Sequence, residues 1–326
     1  DTPGGSVSGS GMLVIRPQNA EDAIYLGSGP SGLILAKAAF SGEDRVFGDG
    51  FSLITIGRSD GNGAVTVSNT GIVFTDNVLI QSPQSGGTLT VNGPLSTDNN
   101  HLTLYLGNSA SQNASGVITT SGLELLGRMT SVNTDGTGTN GPKTVYNFMA
   151  AQNQIGMMAA ANVNQVLINN ASDLIIGTVN DTTGVQASLL YNPDNSTASA
   201  DKITLQISAA GGKLTVSDAS VSSTGGGDIT LTADQMAFTG ASVSGSGSLL
   251  IQPISGIRPI DIGSFTPDET HLQLGSALFN NVVFKKGFDS VTIGRGGSDG
   301  SSGKITLAGT VVFTDATTIQ SPNTST

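Results

Sequence analysis

Two histidines are the chain's first candidates for acid–base chemistry, because histidine alone titrates near neutrality without help from its surroundings. His101 and His271 open the same phrase, His-Leu-x-Leu, in Asn100-His101-Leu102-Thr103-Leu104 and Thr270-His271-Leu272-Gln273-Leu274. A fixed place at the start of a strand accounts for both, so neither is given a catalytic role. A polysaccharide lyase or hydrolase would need carboxylates and an Arg or Lys converging on one groove. The strongest such group is Glu43, Asp44 and Arg45 with Asp49 close by, and Asp261, Asp268 and Glu269 fall in the matching part of the C-terminal region without a matching cation. A solvated loop accounts for the first group.

Asp60-Gly61-Asn62, Asp135-Gly136 and Asp299-Gly300 offer oxygens to calcium, but the regular Gly- and Asp-bearing nonapeptide of calcium-binding β-rolls is absent, and turn chemistry suffices. Arg58 and Arg295 both follow Thr-Ile-Gly and are expected to cover a turn or pair across neighbouring segments. Asn-x-Ser/Thr triplets at Asn113, Asn170, Asn180, Asn195 and Asn323 are glycan acceptors only in a eukaryotic secretory path. No catalytic, cofactor-binding or metal-binding residue is therefore assigned, no cofactor is expected, and the chain is read as a non-enzyme. The alternative is a carbohydrate-active protein built on the Glu43 to Asp49 cluster.

Composition limits the partners. Charged residues are 11% of 326, and there are 45 glycines, no Cys, no Trp and only 13 Lys and Arg against 24 Asp and Glu, for a net charge of -11. Usual shares are about 25% charged and about 7% Gly, so this chain is solvated by Ser, Thr, Asn and Gly rather than by ions. With no basic cluster it has little to neutralise phosphates, which argues against nucleic acid. No apolar run reaches the roughly 18 residues of a membrane helix, so no membrane insertion is expected. The absence of Cys removes disulfides as a source of stability.

The elements that would carry any site follow from an internal repeat. Ser6 to Pro17 (SVSGSGMLVIRP) answers Ser242 to Pro253 (SVSGSGSLLIQP), Gly50 to Arg58 answers Gly287 to Arg295, and the IVFTD and IQSP phrases of Ile72 to Pro83 answer Val311 to Pro322. One unit of about eighty residues thus stands at each end. The division expected is a unit at 1–83, a divergent middle at 84–241 with a polar loop near 129–143, and a second unit at 242–326.

Apolar residues arrive in short β-branched packets separated by Gly, Asn and Ser turns. Ile54-Thr55-Ile56, Val65-Thr66-Val67, Leu205-Gln206-Ile207 and Leu214-Thr215-Val216 alternate with period two, the mark of a strand with one buried face. Such strands, three to five residues long with turns of varied length, suit a parallel β-helix better than a hairpin meander. At roughly 20 to 25 residues per coil the chain would make 13 to 16 coils and a single rod on the order of 60 to 80 Å. Tyr146 to Val163, rich in Ala, Met and Gln, admits a short helical turn, although Gly156 weakens it.

Gly226 to Ala233 (GGDITLTA), followed by SVSGSGSLLIQP, and Asp173 to Asn180 (DLIIGTVN) with Thr183-Gly184-Val185 resemble segments of large secreted proteins of Gram-negative bacteria, cyanobacteria among them: the filamentous-haemagglutinin-like adhesins. The resemblance covers most of the chain as repeat phrasing, without the N-terminal secretion domain of partner-secreted members. It implies an all-β, right-handed parallel β-helical shaft outside the cell, in adhesion, surface coating or biofilm matrix. The partners expected are a second copy joined end to end through open terminal coils, and a cell-surface glycan or protein receptor.

Overall fold

The computed structural model describes residues 5–43, 45–128, 144–188, 200–296 and 303–321. It is a parallel β-helix. Among these residues the only helices are two single 3-10 turns, Lys37–Ala39 and Ser276–Leu278, and none is long and apolar enough to cross a membrane.

The period-two packets lie one above another in register. On the first face Ile54 stands opposite Val78, Val78 opposite Leu102, Leu102 opposite Leu123 and Leu123 opposite Met158, and all five side chains are buried. The first four are 24, 24 and 21 residues apart, which is the coil length expected. The second face carries the longest column, twelve strands from Leu33–Ala36 to Thr317–Ile319. Its inward row runs Val65, Leu89, Ala110, Tyr146, Val166, Ile203, Ile229, Leu249 and Val291, all within one apolar cluster reaching from Ile24 to Ile293. Each fully buried aliphatic contributes roughly 1.5–3 kcal/mol, so cohesion is spread along the axis.

Twelve strands at about 4.8 Å make a column of roughly 50 Å, shorter than the rod expected from chain length. The difference lies in insertions. Between successive strands of the second face the chain advances 36 residues from Ala110 to Tyr146, 37 from Val166 to Ile203 and 42 from Leu249 to Val291. The polar segment 129–143 falls in the first of these gaps and lies outside the described residues.

Both copies of the repeat adopt the same local structure. Phe40 packs edge-on to Phe74 at 4.9 Å, and Phe279 packs the same way on Phe313 at 4.9 Å. The Gly50 N–H donates to Asp76 at 3.0 Å and the Gly287 N–H to Asp315 at 3.1 Å. Gly57 and Gly294 both have φ of 100°, and a Cβ on either would stand 2.1 or 2.0 Å from the carbonyl oxygen of Gln81 or Gln320, so only glycine fits.

The second copy is nevertheless turned by one face. Met12–Ile15 heads the first-face column, whereas its counterpart Ser248–Gln252 continues the second. The turn originates in the middle of the chain. Before residue 145 a short third strand, as at Ile72–Val73 and Leu95–Ser96, lies between the second and first faces. After residue 163 the extra strand, Val185–Ala187, Ser220–Ser223 and Ser242–Ser244, follows the first face instead. The stack runs unbroken past residues 83 and 241, since Val78–Ser82 pairs with His101–Leu106 and Ile229–Thr232 with Ser248–Gln252.

The switch takes place on Val145–Val163, a 19-residue strand where the composition admits a helical turn. Its neighbours override the helical preference of Ala, Met and Gln by pairing with it on both edges. At its corner the fully buried Asn153 accepts the N–H of Ile118 at 2.9 Å and donates to the carbonyls of Phe148 and Asn169, serving backbone groups that the bend leaves without ladder partners.

Buried carboxylates join coils in the same way. Asp234, 1% exposed, accepts the N–H of Gly211 from one neighbouring coil at 2.9 Å and that of Ser255 from the other at 2.9 Å, with the Ser255 hydroxyl at 2.5 Å. Burial works to raise its pKa, but these donors and nearby Arg258 outweigh it and hold the carboxyl below its ordinary value. Tyr146, fully buried, places its hydroxyl 2.7 Å from the carbonyls of both Leu104 and Leu126, and burial pushes its pKa well above the usual value.

Candidate functional site

One element departs from the parallel winding. Thr178–Val179 and Thr182–Thr183 form a small antiparallel hairpin, with Asn180 in the left-handed region at its turn (φ 50°). The hairpin folds back over two earlier coils and is held there by Glu124. This carboxylate, 6% exposed, accepts hydrogen bonds from the Thr103 hydroxyl at 2.8 Å, the Asn180 amide at 2.7 Å and the Thr182 hydroxyl at 2.6 Å. All three donors are neutral, and they supply the pairing that a buried charge requires.

The same amide fixes His101. Asn180 uses its nitrogen on Glu124 and on the Thr103 hydroxyl at 3.1 Å, so its oxygen faces His101 Nδ1 at 3.1 Å and accepts a hydrogen bond from it. In the neutral ring Nε2 is then the acceptor. The imidazole lies against Gly122, directly opposite it on the next coil. A Cβ there would meet the ring at 2.7 Å, so the glycine makes the place in which the ring sits.

Beside the hairpin an open cleft of about 530 Å³ crosses four coils of the first face. Its floor is made of outward-pointing residues from successive strands: Leu53, Leu79, Tyr105 and Leu126 are half-buried apolar groups, and Ser52, Asn77 and His101 are polar ones. The hairpin residues Asn180, Asp181 and Thr182 wall one side. Among the described residues no Lys or Arg lines it. Other outward rows carry Thr, as where Thr66 faces Thr90 or Thr204 faces Thr230, whereas here four apolar residues meet in one cleft.

Of the residues singled out in the sequence, His271, Asp261 and Asp268 come together, with Arg258 donating to the Glu269 carbonyl beside them, while the Glu43 to Asp49 group and His101 stand apart. Arg45 pairs with Asp49 at 2.6 Å on an exposed loop, Asp49 also accepts the Thr75 hydroxyl, Glu43 is exposed, and Asp44 lies outside the described residues. His271 is in a different place from His101. It pairs with Asp261 at 2.7 Å and stands 3.7 Å from Asp268, whose carboxyl is held below its usual range by the Thr270 hydroxyl and N–H. The shared His-Leu-x-Leu phrase thus heads two non-equivalent strands, His101–Leu106 and Leu272–Gly275; the counterpart of the latter in the first copy is Leu33–Ala36.

Arg58 grips Asp60 through two 2.8 Å contacts and the Gln18 carbonyl at 3.0 Å, and Arg295 reaches the Ile254 carbonyl at 2.7 Å, so both arginines cover turns. Asp135-Gly136, Asp299-Gly300, Asn195 and Asn323 lie outside the described residues. Asn170 is fully buried and bonded to Ile155, Asn113 is exposed, and Asn180 forms the hairpin turn. Among the described residues no three His, Cys, Asp or Glu side chains cluster so as to hold a metal ion. Glu124 was not singled out. Its only trace in the sequence is a lone carboxylate inside an apolar strand, Leu123-Glu124-Leu125-Leu126.

Comparison with known proteins finds no matching family model, no similar curated protein and no similar solved structure.

Proposed function

We propose that this chain is a stiff β-helical shaft of a secreted or cell-surface protein, a building block of an adhesin, sheath or extracellular filament. The observation that carries the reading is the uninterrupted inward column, which joins every coil to the next through paired backbone and shared apolar contacts. A body cohesive along one axis resists bending and sets a distance. The outward rows of Thr, Ser and Gln give the lateral surface little charge with which to bind non-specifically.

End-to-end assembly of copies is the second reading, and the repeat favours it. Val7 is 43% exposed, while its counterpart Val243, with the strand Ser220–Ser223 stacked on its own, is fully buried. Leu307 is 54% exposed, while its counterpart Val67, covered by Thr88–Val91, is fully buried. Each copy therefore displays how the other would receive a further coil.

Negative-stain imaging of the purified chain tests both readings. Discrete rods near 50 Å long fit a spacer, filaments that lengthen with concentration fit the polymer, and compact spheres contradict both. The carbohydrate-active alternative predicts steady release of reducing ends or unsaturated products from a polysaccharide panel; the shaft reading predicts none.

A further inference from the structure

We infer that the cleft beneath the Thr178–Thr183 hairpin is a binding site for a neutral oligosaccharide of two or three sugar units. The inference adds a ligand to the shaft and does not depend on the shaft's mechanical role. The cleft's 530 Å³ falls within the about 300–1,000 Å³ of small-ligand sites. Its floor presents Tyr105 with Leu53, Leu79 and Leu126, a half-buried apolar shelf for the C–H face of a pyranose.

The polar groups around the shelf define the ligand further. His101 is held with Nδ1–H on Asn180, so in the neutral ring Nε2 is left as an acceptor, and Asp181, exposed at the hairpin turn, adds carboxylate oxygens. A site rich in acceptors beside an apolar shelf suits a ligand with many hydroxyl donors and apolar ring faces. Acidic sugars and phosphates are disfavoured, because Glu124 and Asp181 both lie in the lining and, among the described residues, no Lys or Arg does.

The cleft is also built in advance of any ligand. Glu124 gathers Thr103, Asn180 and Thr182, these set the hairpin, and Asn180 sets the imidazole over Gly122. Little ordering would be left to a ligand, which favours binding by a modest contact area.

Isothermal titration of the full chain with maltotriose, cellotriose, mannotriose, chitotriose and trigalacturonate tests the inference, with circular dichroism confirming the fold of each variant. At least one neutral trisaccharide is expected to bind. Its affinity should fall at least about tenfold in Tyr105→Ala and in His101→Ala, and stay unchanged in Lys286→Ala, an exposed residue of the second copy outside the lining. Trigalacturonate is expected not to bind. Absence of binding by every neutral trisaccharide at millimolar concentration, tighter binding of trigalacturonate, or binding indifferent to Tyr105→Ala and His101→Ala in folded protein would overturn the site while leaving rods in the microscope, and with them the shaft reading, untouched.

Discussion

Thr103 and Glu124 stand directly opposite each other on adjacent coils, and the Thr103 hydroxyl donates a 2.8 Å hydrogen bond to the Glu124 carboxylate. The register of the helix thereby places a polar pair where the hairpin from a later coil can close over it. A lateral cleft with a fixed wall is the consequence.

Glu124→Gln should loosen that wall. Its amide nitrogen would face donors where the carboxylate oxygen accepts, leaving at least one of Thr103, Asn180 and Thr182 without an acceptor. A loss of about 1–3 kcal/mol is expected. Denaturant unfolding measures it, and hydrogen exchange should accelerate at Val179–Thr183 while the inward rows stay protected.

Acid sensitivity should trace to Asp234. Its folded pKa is depressed, so its contribution is fully present above the unfolded value of about 3.9 and is lost as pH falls through the depressed folded value. Urea midpoints from pH 7 to pH 2.5 should show Asp234→Asn less stable than the natural chain at pH 7, and the gap should narrow below about pH 4.

Tyr146 should be silent in an alkaline titration. The chain has four tyrosines, and one of them is fully buried with its hydroxyl between two carbonyls. Ultraviolet titration should leave Tyr146 un-ionised well past the usual midpoint near 10 until the fold opens. Tyr146→Phe should remove that delayed step and cost about 1 kcal/mol.

Gly57→Ala and Gly294→Ala should be costly for the same reason at both ends of the chain. Each needs positive φ, and each added methyl meets a carbonyl oxygen on the adjacent coil. About 1–3 kcal/mol of backbone strain is expected before the clash is counted. Gly11→Ala, with open space around the added methyl, should change stability by no more than about 0.5 kcal/mol. Thermal melts of the three variants make the comparison.

Much of the fold was legible because its information is local and repeated. Val65-Thr66-Val67 shows which side chains face inward, and a second copy of the same phrases shows that the winding recurs. What was hidden depends on distant partners. Glu124 meets Asn180 and Thr182 across 56 and 58 residues, and no periodicity encodes that meeting. The one-face turn between copies likewise arises from where the third strand of each coil falls, a property of chain length around a corner rather than of residue type. Val145–Val163 has helix-favouring composition and becomes a strand because edges on both sides await pairing. His101 and His271 share a phrase and not a place, since short phrases specify strand starts more readily than positions in the stack.

Parallel in-register stacking is the claim on which the rest depends, and disulfide trapping tests it directly because the chain has no cysteine of its own. Thr66 and Thr90 are register partners on neighbouring coils and half-exposed, whereas Thr88 is displaced by two residues along the same strand. Bridged cysteines need Cα atoms no more than about 7 Å apart. Mild oxidation of Thr66→Cys/Thr90→Cys should give rapid, near-complete intramolecular cross-linking, with little in Thr66→Cys/Thr88→Cys. Equal cross-linking of the two pairs, or preference for the displaced one, would contradict the stacked column.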